Sequence, residues 1–327
     1  MVKVKMKISI VIPMYNAGTT INLLLDDLEK QVSKNFEVVI VDDFSRDNSV
    51  NIVERRLDKM RNVNLIKQPK NLGRSVARNE GLRLVTGDYV VFIDSDDRVS
   101  KFFISDFETL YNANPNSNLL ITGWTNNLSA MKNGDIKFEA DVLSRFELLN
   151  RTFLDKRVYY SLWNKAFRVE TILQTNTLFQ EFVYAEDLAF IVDFVVRTDK
   201  FNATATIDQL DYTWQVYDGN HVGMGSKTET NAIFDQNYKS MKYVLKRLFE
   251  SDIEEKQVLI NGVRYITLQH YVHYPNFRKR REFIKDFGGA LITKVSIISK
   301  IRLIFNYFFG IRIERVLYAV YAGIKGK

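Results

Sequence analysis

The chain contains no cysteine, which excludes disulfides, thiolate nucleophiles and cysteine-ligated zinc and leaves any chemistry to carboxylates, amines, hydroxyls or its three histidines. This fits a reducing compartment. Long apolar runs are also missing. The one that opens at Ile8 is cut by Pro13, Asn16 and Gly18, too early for a secretory signal. Towards the C-terminus, the uncharged stretch Leu303 to Ile311 has nine residues, where a membrane span needs roughly 17 to 25. Internal repeats and low-complexity tracts are absent as well. The expected location is the cytoplasm.

What is present is an ordinary globular composition, 327 residues with 46% hydrophobic and 26% charged, enough for one large domain or two smaller ones. The charge is unevenly placed. Residues 278 to 327 carry twelve Lys or Arg against three acids, so against a total of +7 the first 277 residues sum to about −2. A nucleic-acid binder spreads basic stripes through its main domain, whereas here the positive charge belongs to the tail and points to an anionic surface. Within the tail, Ile297, Ile298, Ile301, Ile304, Phe305 and Phe308 fall on one helical face, with Ser299, Lys300, Arg302 and Asn306 on the other. With Arg278 to Arg281 upstream, residues 290–327 are expected to lie on an anionic membrane surface at the inner face of the cell membrane. A core or oligomer helix would carry the same apolar stripe, so oligomerisation stays open.

The first half alternates strand and helix signals. Apolar runs at 8–13, 37–42, 63–66 and 89–93 read as strands, and periodic segments at 19–31, 47–60 and 75–85 as helices. That order predicts an α/β fold with a mostly parallel sheet, in which ligands bind beyond the carboxyl ends of the strands. Three polar strand ends fall there: Pro13-Met14-Tyr15-Asn16, Asp42-Asp43 and Asp94-Ser95-Asp96-Asp97. Beyond about residue 125 the alternation weakens. Residues 126–141 read as irregular, 141–154 as a helix, and 186–197 as a strongly periodic helix. A soft boundary is placed near residue 226 in the glycine-bearing stretch 219–226, with everything from 228 onward reading as helical.

The run Tyr89 to Ile93 has the composition of a buried strand yet stops at Asp94, Asp96 and Asp97. Packed like charges repel unless a cation neutralises them, and an oxygen-rich site suits a hard ion such as Mg²⁺ or Mn²⁺. The Asp42-Asp43 pair reads either as an acceptor for a nucleobase N–H or as a helix cap. Residues 71 to 81, Asn-Leu-Gly-Arg-Ser-Val-Ala-Arg-Asn-Glu-Gly, open a helix with Gly73, Arg74 and Arg78, a natural anion site in which Arg78 is the better phosphate ligand. Glu186-Asp187 precedes Leu188 to Val192 and reads either as a first-turn cap or as the seat of a general base.

Taken together, the segments 8–16, 38–47, 71–82 and 87–97 with Glu186-Asp187 closely resemble family 2 glycosyltransferases of the GT-A fold, particularly bacterial capsule and cell-wall polysaccharide enzymes. The resemblance covers about the first 190 residues, with five motifs in the family's order. It implies a GT-A catalytic domain over residues 1–226, with a nucleotide-sugar-binding half to about 125 and an acceptor-side half at 126–226, then a helical extension over 227–327. It also implies that Pro13, Tyr15 and Asp43 hold the base of a nucleotide-sugar donor, a UDP-sugar for preference, while Gly73 and Arg78 lie along the nucleotide. The Asp94-Ser95-Asp96 triplet matches the DXD signature, in which Asp94 approaches the ribose and Asp96 binds a divalent metal. Asp187 matches the inverting base, with Glu186 beside it. Trp163, Asn164 and Lys165 resemble a segment on the acceptor side. Phe44 departs from the pattern, since the family usually has glycine there.

The expected reaction is thus metal-assisted, inverting transfer to a hydroxyl of a surface polysaccharide or lipid-linked saccharide. His221, in its glycine-bearing loop, reads as a solvated side chain or as a further metal ligand. His270 and His273 read as packing or acceptor contacts. A non-catalytic scaffold that only binds nucleotide-sugar would need Asp96 or Asp187 to be missing, and a nucleotidyltransferase would need a glycine-rich loop that Pro13 to Thr19 does not supply.

Overall fold

The computed structural model describes residues 6–125, 127–131, 140–155, 158, 160–213 and 231–271. Strands β1 (Ile8–Met14), β2 (Phe36–Asp42), β3 (Val63–Lys67) and β4 (Tyr89–Phe92) alternate with helices α1 (Ile21–Glu29), α2 (Ser49–Leu57) and α3 (Arg74–Leu82). Along these strands Val11, Val39, Val41, Val90 and Phe92 enter one apolar layer, and Ile8, Ile10, Ile12, Val38, Ile40 and Val91 the other. Burial on both faces is what a parallel sheet flanked by crossover helices demands, and it explains why these strands read as continuous rather than alternating apolar runs.

The chain continues through β5 (Arg98–Val99), α4 (Phe103–Ala113), β6 (Leu119–Thr125), β7 (Asp141–Leu143), α5 (Arg145–Asn150), β8 (Lys165–Arg168), α6 (Val169–Thr175), α7 (Glu186–Arg197), β9 (Ala203–Thr213), α8 (Asn231–Glu250) and α9 (Lys256–Tyr271). Among the described residues the sheet order is β3-β2-β1-β4-β8-β6-β9-β5, with β7 on β9. The first four strands are mutually parallel, so the carboxyl ends of β1, β2 and β4 share one edge, as expected. Strand β8 runs antiparallel to both β4 and β6, which brings its amino end to that same edge.

One expected helix begins later than the sequence suggests. Asp141 to Leu143 pairs with Ala203 to Ala205 as a strand. The Ser144 hydroxyl then accepts from Glu147 N, and the Glu147 carboxylate accepts from Ser144 N, a capping box that starts the helix at Arg145. The boundary expected near 226 lies outside the described residues, as do His221, His273 and residues 290–327. On their near side, α8 and α9 place Met241, Val244, Leu245, Leu248, Ile260 and Val263 in the same apolar layer as α7. The buried Asp193 of α7 accepts from Arg247 Nε and Tyr243 Oη of α8, both at 2.5 Å. Among the described residues no helix is long and apolar enough to cross a membrane.

Candidate active site

The strand ends are laced together by their own turns. Asn16 N donates to Ser45 Oγ at 2.9 Å and Arg46 N to Asn16 Oδ1 at 2.8 Å, while Gly18 N donates to Asp47 Oδ2 at 2.8 Å. These bonds tie the loop after β1 to the loop after β2. Asn16 and Phe44 both sit in the left-handed region, with φ of 50° and 68°. For Phe44 this explains why glycine suits the position, since a side chain there is strained. Pro13 is buried within β1 and supports this rim, whereas Tyr15 just beyond it is 48% exposed and available to a ligand.

Asp43 is neither a helix cap nor solvated. Its two carboxylate oxygens accept from Leu72 N at 2.6 Å and Gly73 N at 2.8 Å, so it fixes the loop that launches α3. Gly73 has φ 88°, a conformation that glycine adopts without strain. Further along α3, Gly81 lies so close to β1 that a Cβ would come within 2.4 Å of Val11 Cγ1, and this close approach seats the helix over the strand ends.

Seated there, α3 buries Arg78 beside the ring of Phe179, with its guanidinium carbon 5.4 Å from the ring centroid. Arg78 Nη2 donates to Asp94 Oδ1 at 2.8 Å, and Nη1 donates to Glu186 Oε1 at 3.0 Å and lies 3.7 Å from Asp187 Oδ1. Arg74 adds a second contact to Glu186 at 3.1 Å. The acids after β4 and the acids opening α7 therefore meet at one guanidinium. Arg78, expected along the nucleotide, has these carboxylates as its protein partners.

Glu186 is buried, while Asp187 keeps 22% of its side chain exposed and so remains reachable. Burial, reinforced by the neighbouring Glu186 charge, lifts the Asp187 carboxyl well above the ordinary range against the pull of Arg78 and Arg74. Ala185, just before this pair, also has a left-handed φ of 54°. Strain of this kind gathers at functional sites, where the surrounding structure holds it in place.

Just after β4, Asp94, Ser95 and Asp96 are half-buried, and the Ser95 carbonyl accepts from Thr20 Oγ1 at 3.1 Å. Asp97, read from sequence as part of the cation cluster, is buried and accepts from Tyr212 Oη. Tyr212 stacks on Trp163, with centroids 4.5 Å apart and planes at 5°. Among the described residues no three His, Asp or Glu side chains converge as a ready-made cage. The paired carboxylates of Asp94 and Asp96 nevertheless suit a hard divalent ion that completes its shell with the phosphates of a substrate.

The segment expected on the acceptor side is mostly internal. Asn164 Nδ2 donates to Thr122 O at 2.6 Å, and Lys165 has 0% exposure, its Nζ donating to Ser161 O and Asn164 Oδ1 at 2.8 Å each. The sequence missed the anchoring of Asp97 by Tyr212. A buried tyrosine hydroxyl needs a partner, and that requirement was the only signal for it.

Residues 9–167 match the family profile described as Glycosyl transferase family 2. The chain carries a family 2 glycosyltransferase domain. It is 27% identical over 259 residues to a cholesterol galactosyltransferase of Borreliella burgdorferi, covering 74% of this chain and 68% of that protein. It is likewise 27% identical over 255 residues to the poly(ribitol-phosphate) beta-N-acetylglucosaminyltransferase TarS of Staphylococcus aureus, covering 76% of this chain but 42% of that one. The crystal structure of S. aureus TarS in complex with UDP-GlcNAc superposes with a TM-score of 0.69 at 22% identity, covering 88% of this chain and 81% of that one. A mannosyltransferase from Pyrobaculum calidifontis, solved with GDP-Man and Mn²⁺, superposes at 0.54 and 13% identity, covering 94% of this chain and 88% of that one. The fold of this glycosyltransferase is thus GT-A, as the sequence motifs led one to expect.

Proposed function

We propose that this glycosyltransferase moves a sugar from a UDP-sugar to a hydroxyl of a polysaccharide or lipid-linked acceptor, with inversion at the anomeric carbon. The observation that supports this reading is the meeting of Asp94, from the end of β4, with Glu186 and Asp187, from the start of α7, at Arg78. Tyr15 and Pro13 flank the base of the nucleotide, Asp43 shapes the loop beside it, and Gly73 lets that loop pass close. Asp94 and Ser95 lie towards the ribose, and Asp96 holds a divalent ion, Mn²⁺ or Mg²⁺. When bound, such an ion stabilises the negative charge that grows on the departing diphosphate.

Asp187 takes the proton of the acceptor hydroxyl as that oxygen attacks. A base needs reach and a proton affinity near the working pH, and Asp187 combines partial exposure with a raised pKa. Glu186 is buried against both arginines and serves to aim them. A single base with no partner nucleophile suits inversion without a covalent sugar intermediate. The acceptor class draws on the relatives, whose names specify poly(ribitol-phosphate) and cholesterol. The basic amphipathic segment 290–327 would hold the enzyme where such acceptors gather, and deleting it should abolish sedimentation with anionic vesicles.

The test is a panel of UDP-sugars, with and without Mn²⁺, followed as UDP release. Metal-dependent release from at least one donor is expected. Donor binding without any turnover would favour the scaffold reading instead.

A further inference from the structure

Lys165 is placed where a lysine rarely is. Fully buried ammonium groups are uncommon unless a charge compensates them. Two acceptors of its Nζ, Ser161 O and Asn164 Oδ1, are neutral. Its place in the fold indicates the anion it serves. Lys165 opens β8 opposite Ile121, which lies in the apolar layer that faces α7. Two residues further along the same face, Phe167 packs on Phe190 at 5.3 Å and Phe194 at 5.2 Å, both on α7. One step of two residues back along β8 is about 6.6 Å, and one turn back along α7 is about 5.4 Å. From Phe167 and Phe190 those steps arrive at Lys165 and at Glu186-Asp187.

We infer that Lys165 is a positioning residue for the base, a buried ammonium beneath the first turn of α7 whose charge holds the Asp187 carboxylate ionised and in place. This deepens the proposed reaction and rests on Asp187 being its base. A side chain with no exposed surface has nothing to offer a saccharide, so the acceptor contact expected for Lys165 gives way to this role. The electrostatics agree. Burial pushes Lys165 down to about 7, and the anion that opposes this is Asp187. Asp187 in turn faces Glu186 on its own helix and Arg78 and Arg74 from α3, with Asp94 reached through Arg78. Lys165 supplies a cation from the sheet below, so the base is flanked by positive charge from two elements, α3 and β8.

Lys165→Met removes the charge and keeps the apolar stem. The probe is hydrolysis of UDP-N-acetylglucosamine in Mn²⁺, or of whichever UDP-sugar the panel selects, followed as UDP release across pH. Loss of a nearby cation makes Asp187 hold its proton more tightly, so the acidic limb should move up by about one pH unit and the rate at neutral pH should fall several-fold to about tenfold. Water replaces the saccharide in this assay, so a Lys165 that serves only acceptor binding would leave both rate and limb unchanged, and that result overturns the inference.

A second measurement needs neither turnover nor a folded Lys165 variant. Lysine side-chain NMR of the wild type should show one lysine titrating near neutrality, and Asp187→Asn should lower its midpoint further. An unmoved midpoint overturns the pairing. An enzyme that releases UDP from no donor would sink the proposed function while leaving the NMR result to stand on its own.

Discussion

Arg78 and Glu186 are separated by 108 positions in the chain and meet as a buried ion pair at 3.0 Å. Because the other arm of the same guanidinium grips Asp94, a single side chain of α3 fixes the distance between the end of β4 and the first turn of α7. Burial opposes the charge of Arg78, and Asp94, Asp187 and Glu186 more than offset it, so it stays cationic throughout the working range.

Removing that cation should be severe. Arg78→Ala leaves Glu186 buried without its principal partner and is expected to cost about 3–5 kcal/mol, the range for breaking a buried pair from one side. Urea unfolding monitored by fluorescence measures this. Arg78→Lys, a point charge without the fork, should recover part of the stability and little of the activity.

The two acids assigned to chemistry should separate by phenotype. Asp96→Asn is expected to abolish the dependence of turnover on Mn²⁺, whereas Asp187→Asn should bind UDP-sugar with nearly unchanged affinity and transfer at least a hundredfold more slowly, as removal of a general base commonly does. Calorimetric titration of the donor beside a turnover assay distinguishes them. Wild-type transfer by Asp187→Asn would remove Asp187 from the base role.

Stability should respond to pH at two places with opposite sign. Asp187 has a folded-state pKa raised from 3.8 to about 7, so its ionisation weakens the fold above about 7, and that penalty fades as pH falls through about 7 towards the unfolded value. Asp187→Asn should therefore melt higher than wild type at pH 8, with the difference vanishing towards pH 4. Glu37 behaves conversely. Burial raises its pKa, but bonds from Lys7, Ser9 and Thr86 outweigh this and bring it down from 4.5 to about 2. Its contribution is complete above about 4.5 and is lost as pH falls through about 2, so Glu37→Gln should lower the melting temperature at pH 7 and cease to matter in strong acid.

Phe44→Gly should stabilise the protein. At φ 68° a phenylalanine carries strain that glycine lacks, and the gain is expected at about 1 kcal/mol, reduced by the loss of the contact with Arg46, whose guanidinium carbon lies 5.1 Å from the ring centroid. A higher urea midpoint with an unchanged slope is the expected result.

Much of the parallel half was legible because β1, β2 and β4 are buried on both faces and end in polar turns, so Tyr89 to Ile93 followed by Asp94 announces both a strand and a site. The helix at Glu186–Arg197 was equally plain, since Leu188, Ile191, Val192 and Val195 repeat at helical spacing after two acids. The start of α5 was misplaced because Asp141 to Leu143 has no strand character of its own and acquires it only by pairing with Ala203 to Ala205. Individual roles were harder to read. Asp43 could have been a nucleobase acceptor or a helix cap, and only the folded loop shows each of its oxygens accepting from a backbone N–H, of Leu72 and of Gly73. Lys165 was read only as part of an acceptor-side segment, because burial of a charge leaves no mark on local sequence.

Asp193 lies two turns along α7 from the candidate base, and its carboxylate is claimed by Tyr243 and Arg247 of α8. A protein cut short at residue 230 would leave that carboxylate in an apolar layer with only the looser contact to Arg197 at 3.8 Å and strip the outer cover from the helix that presents Asp187. The folded unit accordingly extends beyond the stretch bearing the family motifs, because α8 and α9 share one apolar layer with the helix that presents the candidate base.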